Sequence, residues 1–458
     1  MKVVRIIARL NVGGPARHVV WLEEGLRRAG GGVESVLVTG VVPPGEDDMS
    51  YFAAAHGVAP VIIPEMSREI SPQDAVTVWK LFRLFLRERP RLVHTHTAKA
   101  GTVGRVAGFL YRWLTWGALL GRPRRVRFVH TYHGHIFHSY YGPFKTRVFL
   151  TVERILARAT DVIVVISRQQ YREIHEQFGV GRAAQFRVIP LGLDLSAFSD
   201  WAARREGARG GLGAAAGDVL VGIVGRLTEI KNHRLFLDAA ALYLRGREAV
   251  GGGGAANAER VRFVVVGDGH LRAALEAHAA GLGLGPEVLT FTGTRDDPEN
   301  FYAALDVVAL TSLNEGTPLT LIEAMANARA CVATDVGGVV DLLGAADARE
   351  ARRDEGGWRL CERGVSVNRH DAAAFASALS YLVEHEGVRA ELGGRGREFA
   401  RREYSLERLV ADVAGLYGEL APGREESAGV AGAKSPAASA AGGATKQRVA
   451  AGARVKGD

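Results

Sequence analysis

Val3-Val4-Arg5-Ile6-Ile7-Ala8 runs directly into Arg9-Leu10-Asn11-Val12-Gly13-Gly14-Pro15, and helical periodicity begins near Ala16. A short apolar run rich in β-branched residues reads as a covered parallel strand. The loop follows at Asn11–Pro15, and Val19, Leu22 and Leu26 mark one face of a helix lasting to about Arg28. The same alternation continues downstream. Strands are expected over Val33–Thr39, Leu92–His96, Asp161–Ser167 and Phe186–Pro190, with a helix over Asp74–Glu88. Strands alternating with helices predict a parallel α/β domain.

The pattern restarts after a stretch rich in Gly, Ala and Arg. Residues 202–218 lack a strong period and read as a linker between a first domain, 1–201, and a second, 219–400. The second domain is expected to place strands at Val219–Val224, Val261–Val266, Val288–Phe291, Val307–Leu310 and Cys331–Thr334. Helices are expected at His233–Arg245 and Leu271–Ala280. A helical segment, 401–421, is expected to pack back toward the first domain. Residues 422–458 read as a disordered Ala/Gly/Ser-rich tail. Stretches 249–258 and 345–356 read as surface insertions.

Composition sets bounds on partners. The formal charge is +8, of which the tail supplies +3, and no zinc-finger spacing or aromatic-laced basic stripe is present. No nucleic-acid partner is expected. Cys331 and Cys361 make neither a disulfide framework nor a zinc set, and Cys331 reads as a buried strand thiol. No signal peptide is read ahead of the first strand, nor any run of 18 clean apolar residues. The expected place is the cytoplasm, with reversible contact at the inner membrane. Phe109–Leu120 is strongly apolar and is followed by Arg122, Arg124, Arg125 and Arg127. It reads either as a core helix with its turn or as an interfacial patch, to which Tyr140, Tyr141, Phe144, Lys145 and Arg147 would add.

The chemistry concentrates in Asn314-Glu315-Gly316-Thr317-Pro318-Leu319-Thr320-Leu321-Ile322-Glu323-Ala324-Met325. Two glutamates eight residues apart bracket a loop-to-helix junction. Thr317 is expected to cap the helix, with Pro318 at its first position, leaving backbone N–H groups free for an anion. Carboxylates that bind polyols, set around an anion site, suit a sugar attached to a phosphate. Arg226 and Lys231 follow the first strand of the second domain, where a fixed cation pair would neutralise a diphosphate leaving group. Gly13 and Gly14 read as a tight turn or as a place where a substrate approaches the backbone closely. His130, His133 and His135 have the spacing of a possible metal set, but no nearby carboxylate completes it. The favoured reading is one imidazole bonding a sugar hydroxyl, with no metal.

Together these residues resemble the retaining glycosyltransferases of GT-B fold, family 4, also called glycosyl transferase group 1. The resemblance covers about residues 1–420. It rests on Glu315 and Glu323 with their surroundings, on Ala8–Gly14, on Gly225-Arg226-Leu227 with Lys231, and on Val266-Gly267-Asp268-Gly269. It implies two Rossmann-like parallel-sheet domains facing across a cleft. It further implies that Glu323 binds the ribose hydroxyls of a nucleotide diphosphate sugar, most often a UDP-sugar, and that Glu315 holds hydroxyls of the transferred sugar. The amides of Gly316, Thr317, Pro318 and Leu319 would face sugar and diphosphate. Arg226 and Lys231 would grip the diphosphate without a metal or other cofactor, and His133 would touch the donor sugar. Gly13 and Gly14 would form the acceptor-side loop.

Arg68-Glu69-Ile70-Ser71-Pro72, His94–Gly101 and Tyr132–His135 resemble bacterial polysaccharide-biosynthesis enzymes, which often extend a lipid-linked glycan. The acceptor implied is a glycan or a lipid-linked glycan. Three positions depart from the family pattern. Asn232 stands for the usual Gly, Ala328-Arg329-Ala330 for a Gly-x-Pro turn, and Gly364-Val365-Ser366-Val367 lacks a Pro-Pro-Gly-Asp ending. The alternatives to transfer are a nucleotide-sugar epimerase of the same fold and a non-catalytic nucleotide-sugar-binding protein.

Overall fold

The computed structural model describes residues 1–67, 71–134, 143–215, 217–249, 260–346 and 357–422. The first sheet contains β1 (Lys2–Ile7), β2 (Glu34–Thr39), β3 (Val61–Ile62), β4 (Leu92–His96), β5 (Arg127–Tyr132), β6 (Val162–Val165) and β7 (Phe186–Val188). Their order is β3-β2-β1-β4-β5-β6-β7, and every pair is parallel. The second sheet contains β8 (Val219–Val224), β9 (Val261–Val266), β10 (Leu289–Gly293), β11 (Val307–Leu310), β12 (Ala330–Thr334), β13 (Trp358–Cys361) and β14 (Gly364–Val367). Its order is β10-β9-β8-β11-β12-β14-β13, parallel except for the β13–β14 pair. Two Rossmann-like sheets therefore face each other across a cleft.

The strands are continuous apolar runs because helices cover both faces of each sheet. Val4 and Ile6 pack under the helices Gln73–Glu88 and Ala98–Trp113, whereas Val3 packs with Leu22, Leu26 and Leu409 on the opposite face. Cys331 is fully buried in β12, and its thiol is pushed up to about 12 by desolvation. The strand expected over Asp161–Ser167 keeps only Val162–Val165. Asp161 turns aside to bond Arg127 and the Phe128 amide, and Ser167 caps the following helix by accepting from the Gln170 amide.

The stretch read as a linker, 202–218, carries much of the helix Trp201–Gly210. An apolar period cannot reveal this helix, because arginines anchor it. Arg205 and Arg209 both pair with Asp306 and both bond carbonyls in the segment Ala303–Leu305. At the other end of the chain, the helix Glu386–Tyr404 packs on the second sheet. Ser405 breaks it and caps the next helix, Leu406–Leu420, beside a bridge to Leu193. That last helix lies on the first sheet. Its Tyr417 hydroxyl accepts from Arg5, which also pairs with Glu23, and bonds His94 Nδ1 at 2.7 Å.

Two departures from the family pattern acquire a backbone reason. Asn232 and Ala328 both sit at positive φ, 49° and 55°. Asparagine adopts this conformation readily, but alanine is strained there by about 1–2 kcal/mol. Glycine's greater unfolded-state freedom offsets roughly half of that. Ala328→Gly is therefore expected to stabilise the protein by about 0.5–1 kcal/mol. Urea denaturation would check it: a midpoint unchanged or lowered contradicts the strain.

Several expectations fall on residues outside those described: Arg68, Glu69, Ile70, His135, Tyr140, Tyr141, the stretch 250–258, the stretch 347–356 and the tail from 423. The side chains of Phe144 and Lys145 lie outside them as well.

Candidate active site

Ligands of open parallel sheets bind beyond the carboxyl ends of strands, where the strand order reverses. Reversal falls between β1 and β4 in the first sheet and between β8 and β11 in the second. The loops leaving those four strands are the Gly13-Gly14 loop, His96-Thr97, Gly225–Lys231 and Thr311–Pro318. They meet across the cleft. A Cβ built on Gly14 would lie 3.5 Å from Leu319 Cδ1, and one on Gly316 would lie 3.5 Å from the His133 carbonyl oxygen. Arg17, in the first turn of the helix Gly14–Arg28, reaches Glu323 at 3.9 Å.

On the second-sheet side, Lys231 donates to Glu315 Oε1 at 2.5 Å, and Ser312 Oγ donates to the same oxygen at 2.6 Å. The pair is held by the loop beneath it. Thr311 Oγ1 donates to the carbonyls of Lys231 and Asn232, the Leu313 amide donates to Ile230, and Thr334 Oγ1 donates to the Ser312 carbonyl. Arg226 is exposed in the same loop as Lys231. Gly267 is required where this loop crosses the next one, since a Cβ there would lie 2.1 Å from the Gly225 carbonyl oxygen. That contact accounts for the Gly267-Asp268-Gly269 element in the sequence.

Glu323 lies one turn into the helix Leu319–Ala326. Tyr302 donates to it at 3.1 Å. Burial raises its pKa above the usual carboxylate range, while Arg17 and Tyr302 oppose the rise. The start of this helix differs from the expectation. Pro318 is the N-cap and Leu319 the first helical residue, so Thr317 does not cap it. The Thr317 hydroxyl is buried without a hydrogen-bond partner among the described residues. Gly338 packs against the loop and its amide donates to the Gly316 carbonyl at 2.8 Å, a contact that any Cβ at 338 would break. Proline has no N–H, so of the expected set Gly316, Thr317, Pro318 and Leu319 only Gly316, Thr317 and Leu319 carry an amide donor.

On the first-sheet side, β5 ends at Tyr132 and delivers His133 to the cleft. His133 Nε2 bonds His96 Nδ1 at 2.8 Å, and its ring meets His18 edge-on at 4.8 Å between centroids. Desolvation lowers the His133 pKa to about 4 and holds His18 and His96 well below the ordinary histidine range. The three rings are therefore neutral at pH 7. Ligand atoms of His18, His96 and His133 lie within 4.8 Å of one another, a set with the composition to take a metal ion. The mutual hydrogen bond of His96 and His133 already occupies one nitrogen of each. The set differs from the spacing read in the sequence: His130 instead bonds Thr95 Oγ1 from within the sheet, and His135 is not among the described residues. Thr97 adjoins the cluster at φ 67°, a conformation rare for a side-chain-bearing residue and often found at functional sites.

The structure thus brings Gly14, His133, Gly316, Leu319 and Glu323 together, with Lys231 and Glu315 paired beside them. Arg17, His18, His96 and Tyr302 join the site without having been singled out. His18 and Arg17 had a usable signal, being within one helical turn of the glycine loop. His96 had another, as a polar residue closing a buried strand.

Residues 12–197 match the family described as Glycosyltransferase Family 4, and residues 218–385 match Glycosyl transferases group 1. The chain belongs to the family 4, group 1 glycosyltransferases. This chain is 28% identical over 281 residues to the UDP-Gal:alpha-D-GlcNAc-diphosphoundecaprenol alpha-1,3-galactosyltransferase of Escherichia coli, covering 60% of this chain and 66% of that one. It is 25% identical over 358 residues to the putative glycosyltransferase EpsD of Bacillus subtilis, covering 78% and 83%. A D-inositol 3-phosphate glycosyltransferase of Salinispora arenicola is 31% identical over 58% of this chain and 56% of its own. The match to the first of these curated relatives thus spans just under two thirds of its length, and that to the Salinispora enzyme a little over half. Among solved structures, Anabaena Alr3699/HepE in complex with UDP superposes with a TM-score of 0.70 at 20% identity, covering 92% of this chain and all of that one. Sucrose-phosphate synthase from Thermosynechococcus elongatus superposes at 0.67 with 22% identity, over 92% and 99%. The shared fold is GT-B.

Proposed function

We propose that this glycosyltransferase moves a hexose-type sugar from a UDP-sugar to a hydroxyl of a glycan or lipid-linked glycan in bacterial polysaccharide biosynthesis, with retention at the anomeric carbon. The observation that carries the reading is the Lys231–Glu315 pair at 2.5 Å, set at the start of the Glu323 helix with Arg226 exposed nearby. A cation and a carboxylate fixed together serve the two halves of a nucleotide sugar. Glu315 accepts from hydroxyls of the transferred sugar, and Lys231 and Arg226 hold the diphosphate. Glu323 accepts from the ribose hydroxyls.

Charge grows on the diphosphate as its bond to the anomeric carbon breaks. Lys231, Arg226 and the amides of Gly316, Thr317 and Leu319 stabilise that charge, and two side-chain cations remove the need for a metal in this reading. The acceptor hydroxyl enters on the face the diphosphate leaves. Its oxygen bonds the anomeric carbon, and its proton passes to the departing phosphate oxygen. His133, neutral at pH 7, bonds a donor-sugar hydroxyl without adding a positive charge beside the forming cationic centre. One relative's name supports the donor and acceptor classes, with UDP-Gal as donor and a GlcNAc-diphosphoundecaprenol as acceptor.

Two experiments test this. Glu323→Gln is expected to weaken UDP binding about ten- to a hundredfold, the loss of hydrogen bonds to a charged acceptor. Calorimetry showing an unchanged affinity contradicts the ribose role. The NMR coupling of the product's anomeric proton tests retention: an α-linked donor is expected to give an α-linked product, and a β-linked product refutes front-face transfer.

A further inference from the structure

The helices Gln73–Glu88, Ala98–Trp113 and Pro143–Arg158 lie side by side on one face of the first sheet. The middle helix is apolar on both sides. Ala100, Val103, Ala107 and Tyr111 are buried against the sheet, while Val106, Phe109, Leu110 and Trp113 form an exposed stripe at i, i+3, i+4 and i+7. The stripe continues into Trp116, Leu119 and Leu120, which are 86%, 77% and 80% exposed. Trp79 and Ile155 extend it onto the flanking helices. Thirteen of the 21 large apolar side chains exposed among the described residues fall between Val76 and Ile155, on these three helices and the segment that follows the middle one. Within Phe109–Leu120, Tyr111 packs in the core while seven large apolar side chains are exposed.

The same region has an unusual charge pattern. From Arg89 to Val152 the chain has eleven Lys and Arg and no Asp or Glu, a local excess larger than the +8 of the whole chain. Among the described residues, Lys99 pairs with Asp74, Arg105 with Glu153 and Arg127 with Asp161, all carboxylates from outside the stretch. Arg122 and Arg125 are exposed on the loop that follows Leu120. Arg124 folds back over Tyr111, 4.7 Å from the ring centroid, and stiffens that loop.

We infer that this face docks on the surface of an anionic lipid bilayer, with the helix Ala98–Trp113 lying in the interfacial plane. Three tryptophans among aliphatic side chains suit the headgroup boundary, and adjacent arginines suit anionic lipid. A second copy of the chain would bring the same positive charge and is disfavoured. No helix among the described residues is long and apolar enough to cross a membrane, so the contact is peripheral. The geometry also deepens the lipid-linked part of the proposed function, on which this consequence rests. The helix begins at Ala98, next to His96 and Thr97 in the cleft. Lying flat, its roughly 24 Å length would keep the acceptor side of the cleft at headgroup level, where a lipid-linked diphosphate sugar resides.

Flotation of the full chain with vesicles tests the docking without using turnover, so it can fail while the transfer reading stands. Wild type is expected to float with phosphatidylglycerol-containing vesicles and to stay behind with pure phosphatidylcholine. Arg122→Ala with Arg125→Ala should weaken partitioning about thirtyfold, near fivefold per arginine. Trp116→Ser with Leu119→Ser and Leu120→Ser should weaken it at least tenfold. These five side chains are exposed, and unchanged thermal melting would confirm that both variants fold. Wild type that fails to float at low salt overturns the inference. So do variants that float as wild type does, and so does a dimer dissolved by the same substitutions while vesicle binding is unaltered.

Discussion

Lys231→Ala is expected to lower sugar transfer about a hundredfold, the effect of removing one well-placed stabilising group worth roughly 3 kcal/mol in the transition state. The lysine serves twice. It supplies charge to the leaving diphosphate, and it holds Glu315 at 2.5 Å. In the variant Glu315 keeps Ser312 as its partner. The side chain is 26% exposed, so its loss leaves no buried void and the fold should survive. Lys231→Arg is expected to recover only part of the rate, because the planar guanidinium would meet Glu315 in a different geometry. Turnover of Lys231→Ala within threefold of wild type removes the lysine from the mechanism.

Acidification should unfold this protein at unusually mild pH. His18, His94, His96 and His130 are each at most 5% exposed, and desolvation holds every one well below the ordinary histidine value of 6.5. The folded state keeps them neutral while the unfolded chain protonates them. Stability is therefore fully present above the unfolded pKa and is lost as pH falls below it. Each such histidine adds a slope approaching about 1.4 kcal/mol per pH unit. Four together approach about 5.6 kcal/mol per unit, against a typical total stability of roughly 5–15 kcal/mol. The urea midpoint is expected to fall steeply between pH 7 and pH 5. His94→Gln should lower that slope by up to about 1.4 kcal/mol per pH unit, whatever it does to stability at pH 7.5, where it also loses contacts to Tyr417 and Thr131. A midpoint constant from pH 7.5 to 5.5 would show that these rings protonate in place.

Apolar runs were enough to locate most of the second sheet. Val219–Val224, Val261–Val266 and Val307–Leu310 occur as strands on those very residues, because buried parallel strands carry no competing signal. The β13–β14 hairpin was not read, since each strand has only four residues and a charged stretch precedes it. Trp201–Gly210 escaped for a different reason: arginine-to-carbonyl bonds, rather than an apolar stripe, hold it in place. At the site, Glu315, Glu323 and Lys231 stood out because chemistry-bearing residues flank loop-to-helix junctions. Their partners did not. Tyr302 reaches Glu323 from 21 positions away, and His96 reaches His133 from 37 away, distances that only the folded sheet closes. Thr317 has the chemistry of a cap, but Pro318 takes that position, one residue later.

The central claim is transfer of a sugar from a nucleotide donor to an acceptor hydroxyl. Its most direct test is mass spectrometry of products after the purified protein meets a panel of isotope-labelled nucleotide sugars, first alone and then with a lipid-linked glycan extract. The expected result is an acceptor heavier by one labelled hexosyl unit, formed with a UDP-sugar and matched by released UDP, with the donor unchanged when no acceptor is present. A donor epimerised without acceptor, or a donor bound tightly yet never consumed with any acceptor, would contradict it.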